Sequence, residues 1–144
     1  MKKIYFCGSI RGGRELATIY NDLVKFLHRY GEVLTEHVAD KSVVSSETGM
    51  FTDNEIYERD RKWLEESDFV VAEVTIPSLG VGFEIGYAVK LKKPVLCLYY
   101  KEAHHNLSAM ISGCPDIEVI NYQQVPELDK PLGEFIKNPS HRIP

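Results

Sequence analysis

The chain has 144 residues with 44% apolar and 26% charged residues, an ordinary balance for one globular domain with a real core. A net charge of −4 lacks the basic excess of a general nucleic-acid or membrane-surface binder, and no run of 18 apolar residues is present to cross a bilayer. The opening "MKKIYFCGSIRGG" has too short an apolar run for a secretory leader, and Arg11 interrupts it, so the expectation is a cytoplasmic protein. The cysteines, Cys7, Cys97 and Cys114, are odd in number and form no CxxC pair. They suggest neither a disulfide framework nor a metal site, and Cys7 and Cys97 read as small core residues.

Short apolar runs alternate with helical periodicity, the pattern of an α/β fold with a parallel sheet. "KIYFCG" at 3 to 8 is the first strand. Leu16, Ile19, Tyr20, Leu23, Phe26, Leu27 and Tyr30 recur at spacings of three and four, which predicts a helix over 14–30 ended by Gly31. "EVLTEHV" at 32 to 38 is a second strand, and 39 to 51 a polar loop. "TDNE" at 52 to 55 is a capping box that opens a helix over 53–67. "DFVVAEV" at 68 to 74 is continuously apolar up to Glu73, as a strand buried on both faces would be. A helix over 81–92, a strand "KPVLCLYY", a short helix "LSAMIS", a strand "IEVINY" and a helix over 124–137 follow, with a frayed tail over 138–144. The expectation is a single domain over 1–144 with five parallel strands, and ligands beyond their carboxyl ends.

Two features stand out against that background. "GSIRGGR", Gly8 to Arg14, follows the first strand and opens the first helix. Backbone N–H groups there form an anion site, to which Arg11 and Arg14 add charge-assisted contacts. The spacing fits neither G-x-G-x-x-G nor a Walker loop, so a single phosphate is favoured over a dinucleotide or ATP. The alternative is a plain turn with a solvated arginine. The second feature is a pair of carboxylates on apolar stripes. Asp60 shares its stripe with Ile56, Trp63 and Leu64, and Glu84 with Tyr87, Ala88 and Leu91. Inward acids are rare unless paired or used. Glu84, read as lying in a first turn, is expected to be ionised by the helix dipole, and Asp60 to hold a proton in apolar surroundings. Alternatively, Glu84 is a capping carboxylate and Asp60 pairs with Arg59, Arg61 or a tyrosine. Gly82 and Gly86 are expected to let their helix approach the sheet closely.

"YFCGSIRGGR", "VLTEHV", "ERDRKWL", "VVAEVTIPSLGVGFEIGYAV" and "LSAMI" together resemble the 2′-deoxynucleoside 5′-phosphate N-hydrolases, relatives of the nucleoside 2-deoxyribosyltransferases. The resemblance runs in order from Tyr5 to Met110 and fades after residue 111. It implies a Rossmann-like three-layer fold, a homodimer, a small-molecule nucleotide substrate, and neither metal nor cofactor. It also implies cleavage of a deoxynucleoside 5′-monophosphate to free base and 2-deoxyribose 5-phosphate. By motif, Glu84 would be the nucleophile, Asp60 would assist the proton, and Tyr5 would orient Glu84. Gly8, Ser9, Ile10, Arg11, Gly12, Gly13 and Arg14 would line the nucleotide pocket. Ser78 and Gly80 would hold the phosphate, while Ser108, Ala109 and Met110 would complete the neighbouring subunit's site. Tyr20 and His37 are further binding candidates. Phe83 stands where the family commonly has tyrosine. The competing readings are a deoxyribosyltransferase, a ribonucleotide N-glycosidase of the CMP type, and a nucleotide sensor without turnover.

Overall fold

The structure is a computed structural model and describes residues 1–10, 16–39, 49–102 and 106–139. Five parallel strands form one sheet in the order β2-β1-β3-β4-β5. They are β1 (Lys3–Cys7), β2 (Glu32–Val33), β3 (Phe69–Glu73), β4 (Val95–Tyr100) and β5 (Ile117–Tyr122). The helices are α1 (Ala17–Leu27), α2 (Asp53–Glu66), α3 (Leu79–Lys90), α4 (Ala109–Ser112) and α5 (Asp129–Lys137). The strand order reverses between β1 and β3, which in open α/β sheets opens a crevice at the carboxyl ends of those two strands.

The two-residue period of the strands sorts the core into two layers. Ile4, Phe6, Phe69, Val71, Leu96 and Leu98 face α1 and α5, meeting Tyr20, Leu23, Leu27, Leu132 and Phe135. Tyr5, Cys7, Val70, Ala72 and Cys97 face α2 and α3, meeting Leu64, Val81, Ile85 and Ala88. Tyr5 therefore emerges on the layer that carries both candidate acids.

Several expected boundaries move. β2 is only two residues long, because Thr35 ends the ladder with its side chain: Oγ1 accepts from Phe6 N at 2.8 Å and donates to Phe6 O at 2.6 Å. The chain then turns into a 3-10 helix, Glu36–Ala39, where a strand was expected. α1 ends at Leu27. Gly31 lies beyond it, where a Cβ would come within 2.4 Å of Lys2 O, so only glycine admits that approach to β1. The capping box is as expected: Thr52 accepts from Glu55 N at 3.1 Å, and the Glu55 carboxylate accepts from Thr52 N at 3.4 Å. α3 starts two residues earlier than expected, with Ser78 as N-cap accepting from Val81 N at 3.3 Å. The expected helix over 124–137 divides into a 3-10 turn, Val125–Leu128, with Pro126 in its first positions, followed by α5. Gly82 and Gly86 do not bring α3 close to the sheet. Both are exposed, with nothing within 4 Å of a Cβ built on either.

Candidate active site

Strand β1 presents Tyr5 and Cys7 to α2 and α3, and both are fully buried. The Tyr5 hydroxyl donates to Glu84 Oε2 in a short hydrogen bond. The two residues line a cleft of ≈ 170 Å³ together with Asp60, Tyr57, Gly80 and Phe83. A Cβ on Gly80 would be in ordinary contact, 3.9 Å, with both Glu84 Oε1 and Ser78 Oγ, so Gly80 lies between those two side chains. The rings of Tyr57 and Phe83, 6.1 Å apart, form an apolar wall beside it.

Glu84 is the sixth residue of α3, past the first turn in which the helix dipole acts. Burial dominates its ionisation and pushes its pKa up to about 7, with the Asp60 charge adding to the rise and hydrogen bonds from Tyr5 and Cys7 opposing it. This corrects the expectation of a carboxylate made fully ionic by the helix end: near neutrality Glu84 is poised between its two forms. Burial, and next the charge of Glu84, raise the Tyr5 hydroxyl well above its ordinary value, so it stays a donor. The Cys7 thiol is raised by the same two causes.

Asp60 departs from expectation too. It is not enclosed in apolar surroundings: its side chain is 24% exposed and accepts from Arg59 Nε at 2.8 Å. That partner is one of the alternatives that the sequence left open.

The remaining candidates divide into three groups. Gly8 and Ser9 sit at the end of β1. The Tyr20 ring lies where a Cβ on Gly8 would meet it at 2.9 Å, and the Tyr20 hydroxyl accepts from Ser9 N at 3.1 Å. Tyr20 is fully buried in the layer opposite Glu84, so its place is against Gly8 and Ser9 and not in the cleft. Ile10 packs partly against that same layer, while Arg11, Gly12, Gly13 and Arg14 lie outside the described residues. Ser78, Ser108 and Met110 line a neighbouring groove of ≈ 560 Å³ beside α3; Ser78 Oγ also flanks Gly80, whereas Ser108 and Met110 are not among the residues that line the Glu84 cleft. Ser108 caps α4, accepting from Met110 N at 3.2 Å, and Ala109 is that helix's exposed first residue. His37 lies on the 3-10 helix, with its ring 5.6 Å from that of Trp63 and its Nε2 3.2 Å from Arg59 Nη2.

Sequence reasoning left out Glu73, missed Tyr57, and named Arg59 only as an alternative partner of Asp60 and Trp63 only as core. Glu73 is fully buried and accepts from Tyr122 Oη and, at 2.7 Å, from Thr75 N. It ties β3 to β5 and fixes the turn toward Ser78, and burial raises its pKa. Trp63 had a usable signal: it lies one turn from both Arg59 and Asp60. Among the described residues, no three His, Cys, Asp or Glu side chains gather as a metal site would require, and no helix is long and apolar enough to cross a membrane.

The chain is similar to known proteins to different extents. A 5-hydroxymethyl-dUMP N-hydrolase of Mus musculus is 55% identical over 114 residues, covering 78% of this chain and 66% of the mouse protein. A protein of the same name from Danio rerio is 47% identical over 137 residues, 93% of this chain and 95% of its own. A solved CMP N-glycosidase of Clostridium botulinum is similar in fold, with a TM-score of 0.60 over 93% of this chain and 99% of that one at 20% identity. The family model described as nucleoside 2-deoxyribosyltransferase matches residues 4–128, from β1 to the turn after β5, and on that extent the chain belongs to the nucleoside 2-deoxyribosyltransferase family.

Proposed function

We propose that the chain is an N-glycosidase that hydrolyses 2′-deoxynucleoside 5′-monophosphates, giving free base and 2-deoxyribose 5-phosphate. The observation that carries this reading is the contact of a half-buried, neutrally poised Glu84 with the Tyr5 hydroxyl in a cleft that Asp60 also lines. The ionised Glu84 carboxylate forms a bond to C1′ as the bond from C1′ to the base nitrogen breaks. The electron pair of that bond goes to the base, and Asp60 assists the proton that the base takes up. Water then attacks C1′, displaces the Glu84 carboxylate and yields the sugar phosphate. A carboxylate pair flanking the anomeric carbon is the general arrangement for such a displacement.

Water as the second acceptor is supported by the relatives named N-hydrolases. The loop from Gly8 to Arg14 and Ser78 would receive the 5′-phosphate. A homodimer would bring Ser108–Met110 of one protomer to the neighbouring site. Its support is an outer surface with Leu79 97%, Met110 81% and Phe83 60% exposed, next to the bare backbone of Gly82 and Gly86. Among the described residues no disulfide joins Cys7, Cys97 and Cys114, which agrees with a reducing, cytoplasmic setting.

The test is incubation with dGMP, GMP, deoxyguanosine and 5-hydroxymethyl-dUMP, following free base by chromatography, with and without a second base. Release from deoxynucleoside monophosphates, indifferent to the second base, is the expected result. Transfer of the sugar to the added base would make the enzyme a transferase, release from GMP would make it a ribonucleotide glycosidase, and no release from any of them would leave a binding protein.

A further inference from the structure

Arg59 connects two of the residues discussed above. Its Nε donates to Asp60 Oδ1 at 2.8 Å, and its Nη2 faces His37 Nε2 at 3.2 Å. The guanidinium carbon lies 4.9 Å from the centre of the Trp63 ring and 5.6 Å from that of Phe51. The His37 ring rests on Trp63 as well. Neighbours in a helix point in different directions, so Arg59 and Asp60 would not ordinarily meet. They meet here because the guanidinium folds back over Trp63, one turn further along α2. Trp63 is thus one platform for both the Arg59 guanidinium and the His37 ring.

An exposed arginine–carboxylate pair would carry little weight. This one is three-quarters buried at both ends, with side chains 23% and 24% exposed, and is held by stacking. A guanidinium has five N–H donors, no acceptor, and keeps its proton at every working pH. Whichever imidazole nitrogen faces it must therefore offer a lone pair. In this geometry that nitrogen is Nε2, and an Nε2 that accepts from the guanidinium leaves the ring proton on Nδ1. The same guanidinium holds the carboxylate whose charge reaches Glu84.

We propose that Arg59 is a positioning residue of this enzyme: one guanidinium holds the Asp60 carboxylate at the cleft and fixes His37 as the neutral Nδ1–H tautomer. The carboxylate that shares the cleft with Glu84 is thereby held in one orientation. The inference rests on the hydrolase reading for its catalytic consequence, while its structural half concerns the free enzyme alone. Lysine would not substitute, because a point charge on a flexible stem neither forks between two acceptors nor stacks on Trp63 in the same way.

The experiment reads the His37 ring nitrogens by long-range proton–nitrogen NMR on the free, 15N-labelled protein at about pH 7, assigned by loss of the signal in His37→Asn. Wild type is expected to show Nδ1 protonated and Nε2 bare, and Arg59→Met a mixture of tautomers. In parallel, Arg59→Met is expected to lower kcat roughly 10–100-fold with KM within about threefold, and Arg59→Lys to recover only a small part. A wild-type His37 that is an imidazolium, or that carries its proton on Nε2, overturns the proposal without any variant having to fold. So does an Arg59→Met enzyme that keeps wild-type kcat. If no nucleotide is turned over by the wild type, the hydrolase reading fails instead, and the tautomer still decides the placement of Arg59.

Discussion

The hydroxyl of Tyr5 donates to Oε2 of Glu84, joining the first strand to the third helix across 79 positions of sequence. The bond favours the charged carboxylate, while burial and the Asp60 charge favour the protonated one, and burial prevails. A nucleophile that must be ionised then works only as pH rises through its pKa. Activity of the wild type, as kcat/KM, is expected to climb toward a plateau with an acid limb near about 7. Tyr5→Phe removes an influence that lowers the Glu84 pKa, so its acid limb moves to higher pH and kcat/KM at neutrality falls roughly 10–100-fold. Paired pH–rate profiles check this. A wild-type limb in the ordinary carboxylate range, or one that Tyr5→Phe leaves in place, would contradict it.

A carboxylate whose pKa is raised by folding also costs stability. The native state holds the Glu84 proton more tightly than the unfolded chain does. Its contribution is therefore fully present below the unfolded carboxylate value and is lost as pH rises toward about 7. Glu84→Gln is expected to stabilise the fold by roughly 2–3 kcal/mol at about pH 8 and to change little at about pH 4. Urea unfolding at the two pH values measures the difference. Equal effects at both would mean that Glu84 is not strained by its site.

How much of this was legible in the sequence depends on the range of each interaction. The capping box at Thr52 is chemistry within four residues, and it was read correctly. The uniformly buried β3 follows from an unbroken apolar run. β2 was read too long because its end is decided by Thr35 bonding to Phe6 on another strand, which no local pattern records. Glu84 was placed two residues too near the helix start because Ser78, not a later residue, caps α3. Gly82 and Gly86 were assigned to the inner face, yet the buried stripe is Val81, Ile85 and Ala88. Trp63 read as core, and its second use as a platform depends on His37 arriving from the 3-10 turn. The joining of Tyr5 to Glu84 was reached through family resemblance and not through spacing.

Thr35→Val tests the side-chain end of β2. Valine keeps the shape and strands both the N–H and the carbonyl of Phe6 in the core, so a loss of roughly 1–3 kcal/mol is expected. Denaturant midpoints measure it. A change of a few tenths would mean that the backbone relaxes to recover those bonds.

Met110→Glu and Leu79→Glu place a charge on the exposed apolar surface without entering either buried layer. Each is expected to leave the monomer folded and to shift the mass in solution from two chains to one, read by light scattering. A wild type that is already monomeric would contradict the dimer.

The most direct measurement is release of free base from a deoxynucleoside 5′-monophosphate by wild type and by Glu84→Gln, with circular dichroism confirming that the variant is folded. The account predicts turnover by the wild type and a loss of at least roughly a thousandfold in the variant. A folded Glu84→Gln enzyme within about tenfold of the wild type would show that the bond to C1′ is not made by Glu84.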